Sequence, residues 1–209
     1  MSTAVRARPM TYGDFSVDDL KRLFGLNVCP QPLFGDVERL TPAPWLVESI
    51  RRGTAQALLN EKSRSEFIVS PILLHCGDHL DERFSVYSGV SLDVDPEQGL
   101  RGACDFLLAR NPPIPALQAP VLVVVKAKRG DIEAGVPQCG AEMIAARLFN
   151  ERHDRPVRRM HGCVTTGEDW QFLRLDEQNL WIDRDRYYLP DLGKILGILV
   201  AIMKGADTP

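Results

Sequence analysis

The chain has 209 residues, a length that fits a single domain, since domains usually run to about 100–200 residues. Its hydrophobic fraction of 44% is enough to build one sizeable core. The formal net charge of −3 at pH 7 excludes a protein that attracts nucleic acid through its overall charge, so any such binding requires a local basic patch.

Residues 1–44 are predicted to form an N-terminal extension, because prolines interrupt this part of the chain repeatedly. Within it a short helix is predicted over residues 16–24, where Ser16 can cap the helix and two aspartates suit its first turn. We expect the rest of the extension to lie across the surface of the domain or of a partner. Residues 45–209 are predicted to form the main α/β domain.

Helices and then strands are predicted in the next part of the chain. The predicted helices cover residues 45–59 and 63–75, and the predicted strands cover residues 84–94, 103–108 and 121–125. Pro71 predicts a kink or a late start in the second helix. The run VLVVV in the third strand is typical of a strand that is buried on both faces.

The last part of the chain returns to a helix, then strands, then a closing helix. The predicted helices cover residues 137–150 and 192–203, and the predicted strands cover residues 161–165, 170–175 and 180–182. This order predicts an α/β fold in which helices flank a mixed β-sheet.

The five cysteines form no CxxC pair, and several lie in apolar runs. Buried, reduced thiols in a reducing compartment are the simplest explanation, so we expect a cytoplasmic protein. The apolar stretch at residues 195–203 is shorter than the roughly 20 residues that span a bilayer, and we expect no membrane partner.

Charged residues interrupt two of the predicted strands. Lys126 and Lys128 share one face of a strand end, because side chains alternate between the faces of a strand. Asp105 lies in the preceding strand, within the apolar sequence CDFLL. Buried charges need partners, so Asp105 is expected to meet one of the lysines. A structural ion pair and an active site are both consistent with this pattern.

The order of these residues resembles the PD-(D/E)xK nuclease superfamily, including uncharacterised bacterial proteins of that type. The resemblance rests on the helical Glu66 in RSEF, Asp105 in ACDF, KAK at 126–128 and Gln138 in QCGAEM. It covers roughly residues 60–175. It implies a restriction-endonuclease-like core, a mixed β-sheet flanked by helices, behind an N-terminal helical extension.

The resemblance also implies roles for these residues. Asp105 and Glu66 match metal ligands for Mg²⁺, while Lys128 matches the catalytic lysine and Gln138 the residue that orients the site. Mg²⁺ prefers oxygen ligands, and it helps generate hydroxide beside a phosphoryl group. Lys126 departs from the pattern, because it stands where the family has an acidic metal ligand. A cation at that position can act as a tethered substitute for the metal, pairing with Asp105 and Glu66.

Three functions follow from this departure. The first is a nucleic-acid-related, nuclease-like domain whose metal site is impaired or lost. The second is an active Mg²⁺-dependent endonuclease, in which Asp105 and Glu66 hold one ion. The third is a non-enzymatic partner-binding or oligomeric module, for example a homodimer. Mg²⁺ is the expected cofactor only of the active enzyme, and the other two functions require none.

Two further sets of residues bear on these functions. Arg155, Arg158 and Arg159 are candidate phosphate contacts, with a solvated surface as the alternative. The resemblance implies that the nucleic acid is DNA in preference to RNA. Glu142 lies one helical turn after Gln138 and could reach the site, but the default for such a residue is an exposed helix position.

Overall fold

The computed structural model describes residues 10–80 and 84–205. Within that part of the chain, a mixed sheet of eight strands has helices on both of its faces. The strands are β1 (Asn27–Gln31), β2 (Ser85–Ser91), β3 (Ala103–Ala109), β4 (Val121–Ala127), β5 (Arg159–Thr165), β6 (Asp169–Asp176), β7 (Asn179–Asp183) and β8 (Tyr187–Tyr188). The prediction of an α/β fold with helices flanking a mixed sheet is confirmed.

The α-helices of the described residues lie close to the predicted positions. They are α1 (Val17–Phe24), α2 (Pro44–Thr54), α3 (Glu61–Arg64), α4 (Ser70–His75), α5 (Val136–Arg152) and α6 (Leu192–Lys204). Ser16 caps α1 as predicted, because its hydroxyl accepts a hydrogen bond from the Asp19 amide. No helix in residues 10–80 or 84–205 combines the length and the apolar composition that a membrane span requires.

The strands that carry the candidate site are neighbours in the sheet. The order is β1-β7-β6-β5-β4-β3-β2, and β8 pairs with β6. β2, β3 and β4 form an antiparallel meander, and β5 then pairs with β4 in parallel after the crossover through α5. The order of elements around the site is therefore a helical segment, the three antiparallel strands β2 to β4, the helix α5 and the parallel strand β5.

The two faces of β4 contribute to different halves of the core. Val124 packs in the cluster that lies under α5, whereas Val123 and Val125 pack in the cluster under α4 and α6. The predicted burial of this strand on both faces is confirmed. Lys126 therefore shares the α5 face with Val124, because side chains on one face recur every second residue.

The helix predicted over residues 63–75 begins earlier and contains a π-helical turn. After α3, the segment Ser65–Val69 is π-helical, with the Ser70 amide donating to the carbonyl of Ser65, five residues back. Pro71, in α4, has no amide hydrogen and disfavours a regular helix through its preceding turn. The π-helical turn accommodates the proline, and Glu66 lies within this turn.

The described part of the predicted extension, residues 10–44, contributes to the same core as the rest of the chain. β1 pairs in parallel with β7, and Leu33 and Phe34 are buried beneath α6. Tyr12 and Leu20 are buried in the cluster under α5. The prediction that this segment lies across the surface beyond its first helix is therefore wrong for these residues. The strands β1 and β8 were not predicted.

Candidate functional site

The partly buried Asp105 and the buried Lys126 form an ion pair at the end of β4. The pairing of Phe106 with Val125, continued by one residue, places Asp105 opposite Lys126 on the neighbouring strand. Lys126 Nζ lies 2.7 Å from Asp105 Oδ2, and Lys126 is only 6% exposed. The same carboxylate oxygen accepts a hydrogen bond of 2.8 Å from the Ala127 amide. The expected contact between Asp105 and one of the lysines is thus formed by Lys126.

A second group of polar side chains connects the end of β4 to α5. Lys128 Nζ donates to Gln138 Oε1 at 2.9 Å, and Gln138 Nε2 donates to Glu142 Oε1 at 3.1 Å. Pro137 occupies the first turn of α5, where its missing amide hydrogen costs nothing. Because α5 begins here, Gln138 lies within hydrogen-bond distance of Lys128. Glu142 follows one turn later on the same face of the helix.

Glu142 is fully buried, so the expectation that it is an exposed helix residue is wrong. Burial raises the pKa of its carboxyl from 4.5 to about 8; the nearby Lys126 opposes this rise, and Asp105 adds to it. Among the described residues, Glu142 Oε2 has no hydrogen-bond partner. The sequence signal that indicates this burial is its setting in GAEMIAA, where small and apolar residues flank it on both sides.

Lys126 remains a cation in this environment. Burial acts to lower its pKa, but the negative charges of Asp105 and then Glu142 outweigh burial, so that the net shift is upward. Of these two acidic side chains, Asp105 of β3 is the one that contacts the ammonium, and Glu142 of α5 acts on it only electrostatically.

Glu66 lies on the wall of a cleft that also exposes Asp105. The cleft has a volume of about 460 Å³ and is also lined by Glu61 and by Ser88 and Gly89 of β2. The Glu66 side chain is 51% exposed and forms an ion pair of 3.0 Å with Lys62. The cleft thus brings Glu66 and Asp105 together, whereas Lys126 and Lys128 are not among the residues that line it. Of the two carboxylates expected to pair with Lys126, the structure shows the pairing with Asp105.

The residues of the site do not fit a divalent cation in this arrangement. No group of three or more His, Cys, Asp or Glu side chains within the described ranges is arranged to hold a metal ion. The Oδ2 atom of Asp105 is bonded to the Lys126 ammonium, and Glu66 is paired with Lys62. A cation beside Lys126 would be repelled by it, since like charges at close range in a partly buried site interact strongly.

The three candidate arginines lie far from this ion pair. Arg155 and Arg158 are exposed, and Arg159 is partly buried at the start of β5. Because Lys126 pairs with Val164 near the other end of β5, five residues separate Arg159 from the level of the ion pair, about 17 Å along the strand. Arg158 instead lines a separate recess of about 630 Å³ with Arg147. The structure therefore does not bring these arginines to the cleft.

No protein-family model matches this chain, and no curated protein matches it. What the site can do is therefore inferred from its own geometry. Asp105 is neutralised internally by Lys126, which leaves Lys128 as the partly exposed cation of the site. An ammonium has three donors, and the bond to Gln138 uses one of them. Lys128 can thus donate to an anionic group such as a phosphate at the end of β4.

Proposed function

We propose that this chain is a nuclease-like, nucleic-acid-related domain whose metal site is replaced by an internal ion pair. The observation that carries the proposal is the 2.7 Å contact between Lys126 Nζ and Asp105 Oδ2. In the PD-(D/E)xK pattern the residue at position 126 is an acidic metal ligand, and here it is a buried cation. The proposed protein binds nucleic acid and does not cut it through a bound Mg²⁺ ion.

The order of elements supports a restriction-endonuclease-like core. A helical segment with Glu66 precedes three antiparallel strands. The second of these strands contains Asp105 and the third contains Lys126, and the helix that follows has Gln138 in its first turn. The next strand, β5, is parallel to the third. The residues that match the family's pattern therefore gather at one end of the sheet, as the resemblance implies.

The size of the electrostatic effect supports loss of the metal. Two unit charges about 4 Å apart interact by roughly 4 kcal/mol at an effective dielectric constant of about 20. The repulsion between Lys126 and a divalent ion is about twice as large. A repulsion of that size offsets most of an ordinary Mg²⁺ affinity, and the cation would also have to displace an existing ion pair.

The expected partner is DNA in preference to RNA, in the cytoplasm. A direct test measures binding of a fluorescent DNA duplex at low salt, together with cleavage in Mg²⁺ or Mn²⁺. The proposal predicts binding that weakens as salt rises, because released counterions drive phosphate contacts, with no metal-dependent cleavage. Metal-dependent cleavage would establish the active endonuclease instead. Absence of binding to either DNA or RNA at low salt would contradict the proposal.

One observation favours a second candidate, a non-enzymatic partner-binding module. Trp45, Phe67 and Leu74 are all at least 40% exposed, and they lie on the neighbouring helical segments that precede β2. Large apolar side chains exposed on neighbouring elements are a feature of interaction sites. Size-exclusion chromatography with light scattering would detect a homodimer, and Trp45→Ala with Leu74→Ala would be expected to dissociate it.

A further inference from the structure

Among the described residues, the buried carboxyl of Glu142 has an oxygen without a bonding partner, and it lies in the helix that covers the Lys126 face of the sheet. Its Oε1 is fixed by Gln138, whereas Oε2 has no partner among the described residues. A buried polar atom without a hydrogen bond costs free energy, so such atoms are rare and call for a physical reason. Glu142 is 0% exposed, which excludes bulk water as the missing partner.

Lys126 is a donor with spare capacity on the sheet face that α5 covers, two residues before the Lys128 that Gln138 links to Glu142. Its ammonium carries three N–H groups, and the ion pair with Asp105 Oδ2 uses one. The charges of Lys126 and Glu142 act on one another, and on the Glu142 side the attraction of Lys126 is the largest effect after burial. Asp105 and Glu142 belong to different elements, β3 and α5, so their positions are set independently.

We propose that Glu142 is a second anchor for the Lys126 ammonium, which takes over when Asp105 is unavailable. Glu142 is thus a positioning residue, which acts through Lys126. In this arrangement loss of Asp105 alone does not release Lys126 from the site: without the charge of Asp105 the Glu142 carboxyl gives up its proton more readily, and the ammonium bonds to its Oε2. Loss of both carboxylates leaves a buried cation without a partner, which is strongly destabilising. The inference deepens the proposed function and rests on its assignment of the metal position to Lys126.

A thermal-unfolding cycle tests this inference. The variants are Asp105→Asn, Glu142→Gln and the double variant, each made with Lys126 and with Lys126→Met. With Lys126 present, the double variant should lose more Tm than the sum of the single losses, by about 5 °C, as expected for coupled neighbours. In the Lys126→Met background this excess should disappear. Additive losses with Lys126 present, or an equal excess in both backgrounds, would overturn the inference.

A spectroscopic measurement provides a second, independent readout. The ¹⁵N signal of a buried, bonded lysine ammonium is observable by NMR when its protons exchange slowly, and Lys126→Arg identifies the signal by its loss. The signal should shift but persist in Asp105→Asn, persist in Glu142→Gln and vanish through fast exchange in the double variant. Loss of the signal in Asp105→Asn alone would show that Glu142 does not hold Lys126.

These outcomes are distinguishable from a failure of the proposed function. Neither experiment contains metal or nucleic acid. Additive decreases in Tm would therefore disprove the role of Glu142 but would not contradict the ion pair between Lys126 and Asp105. Conversely, binding of metal by the wild type would contradict the proposed loss of the metal site. It would not change the result expected from the thermal-unfolding cycle. Glu151→Gln is a matched control for Glu142→Gln, because it makes the same substitution at an exposed position of α5 and should show no coupling.

Discussion

Gln138 Oε1 accepts a hydrogen bond of 2.9 Å from Lys128 Nζ, and this bond joins the end of β4 to the first turn of α5. The Gln138 amide also satisfies one oxygen of the buried Glu142. Gln138→Leu should therefore lower the free energy of unfolding by about 1–3 kcal/mol, because it leaves buried polar groups without a partner. Lys128→Met, at a partly exposed residue, keeps the Gln138–Glu142 bond and should cost about 1 kcal/mol or less.

Urea unfolding at pH 7 measures both variants. The order of the two effects is the informative result, because it separates the buried bond to Glu142 from the bond to Lys128. Equal losses, or a larger loss for Lys128→Met, would contradict the network as described.

The raised pKa of Glu142 predicts that stability falls as pH rises. Between its ordinary pKa of 4.5 and its folded pKa of about 8, the folded chain holds a proton on Glu142 that the unfolded chain releases. Each pH unit inside this window therefore removes about 1 kcal/mol of stability from this group, and the effect ends above the folded pKa. Glu142→Gln has no such proton, so the wild type should lose Tm relative to this variant between pH 5 and pH 8.5.

Differential scanning calorimetry across that pH range provides the measurement. Parallel Tm curves for the wild type and Glu142→Gln would show that Glu142 titrates normally. The control Glu151→Gln, at an exposed position on the same helix, should give a curve parallel to the wild type.

Lys194 of α6 forms hydrogen bonds to the segment that connects β1 to α2. Its ammonium donates to the backbone carbonyls of Gly35 at 2.7 Å and of Val37 at 2.5 Å. Lys194→Met leaves both carbonyls without this partner and should cost about 1–3 kcal/mol of stability. Hydrogen exchange should also accelerate at the Leu40 amide, which bonds to the carbonyl of Gly193. Unchanged exchange at Leu40 would show that the segment is held by other contacts.

The three arginines are expected to contribute to nucleic-acid binding through phosphates. Changing Arg155, Arg158 and Arg159 to alanine should reduce the slope of log affinity against log salt, because fewer counterions are released. A control with Arg22, Arg51 and Arg52 changed to alanine removes three arginines that pair with acidic residues in α1 and α2. An equal change in slope for both triple variants would show that the effect reflects net charge rather than this patch.

The elements around the site could be predicted because their signals are local. A run of β-branched residues marks β4, and the alternation of side chains along it predicts that Lys126 and Lys128 share a face. The ion pair with Asp105 follows from the need of a buried charge for a partner. These inferences require only neighbouring residues and one strand pairing.

Features that depend on distant packing could not be predicted in the same way. β1 is short and contains Pro30, which is tolerated only because the strand lies at a sheet edge. The burial of Glu142 depends on α5 lying across β4 and β5; its helical spacing allowed it to reach the site, but the default for a charged helix residue is exposure. The arginines follow α5 in sequence, but a helix of 17 residues carries the chain about 25 Å from the site.

Thermal melting with and without Mn²⁺ tests the central claim, that Lys126 takes the place of the metal. The wild type should show no rise in Tm with Mn²⁺, because a ligand stabilises only a folded state that binds it. Lys126→Glu restores an acidic pair with Asp105, and saturation at about 100 times Kd should raise its Tm by about 5–10 °C. Lys126→Met removes the cation without adding a ligand and should show a smaller rise. A rise in the wild type as large as in Lys126→Glu would contradict the claim and favour an active metal-dependent nuclease.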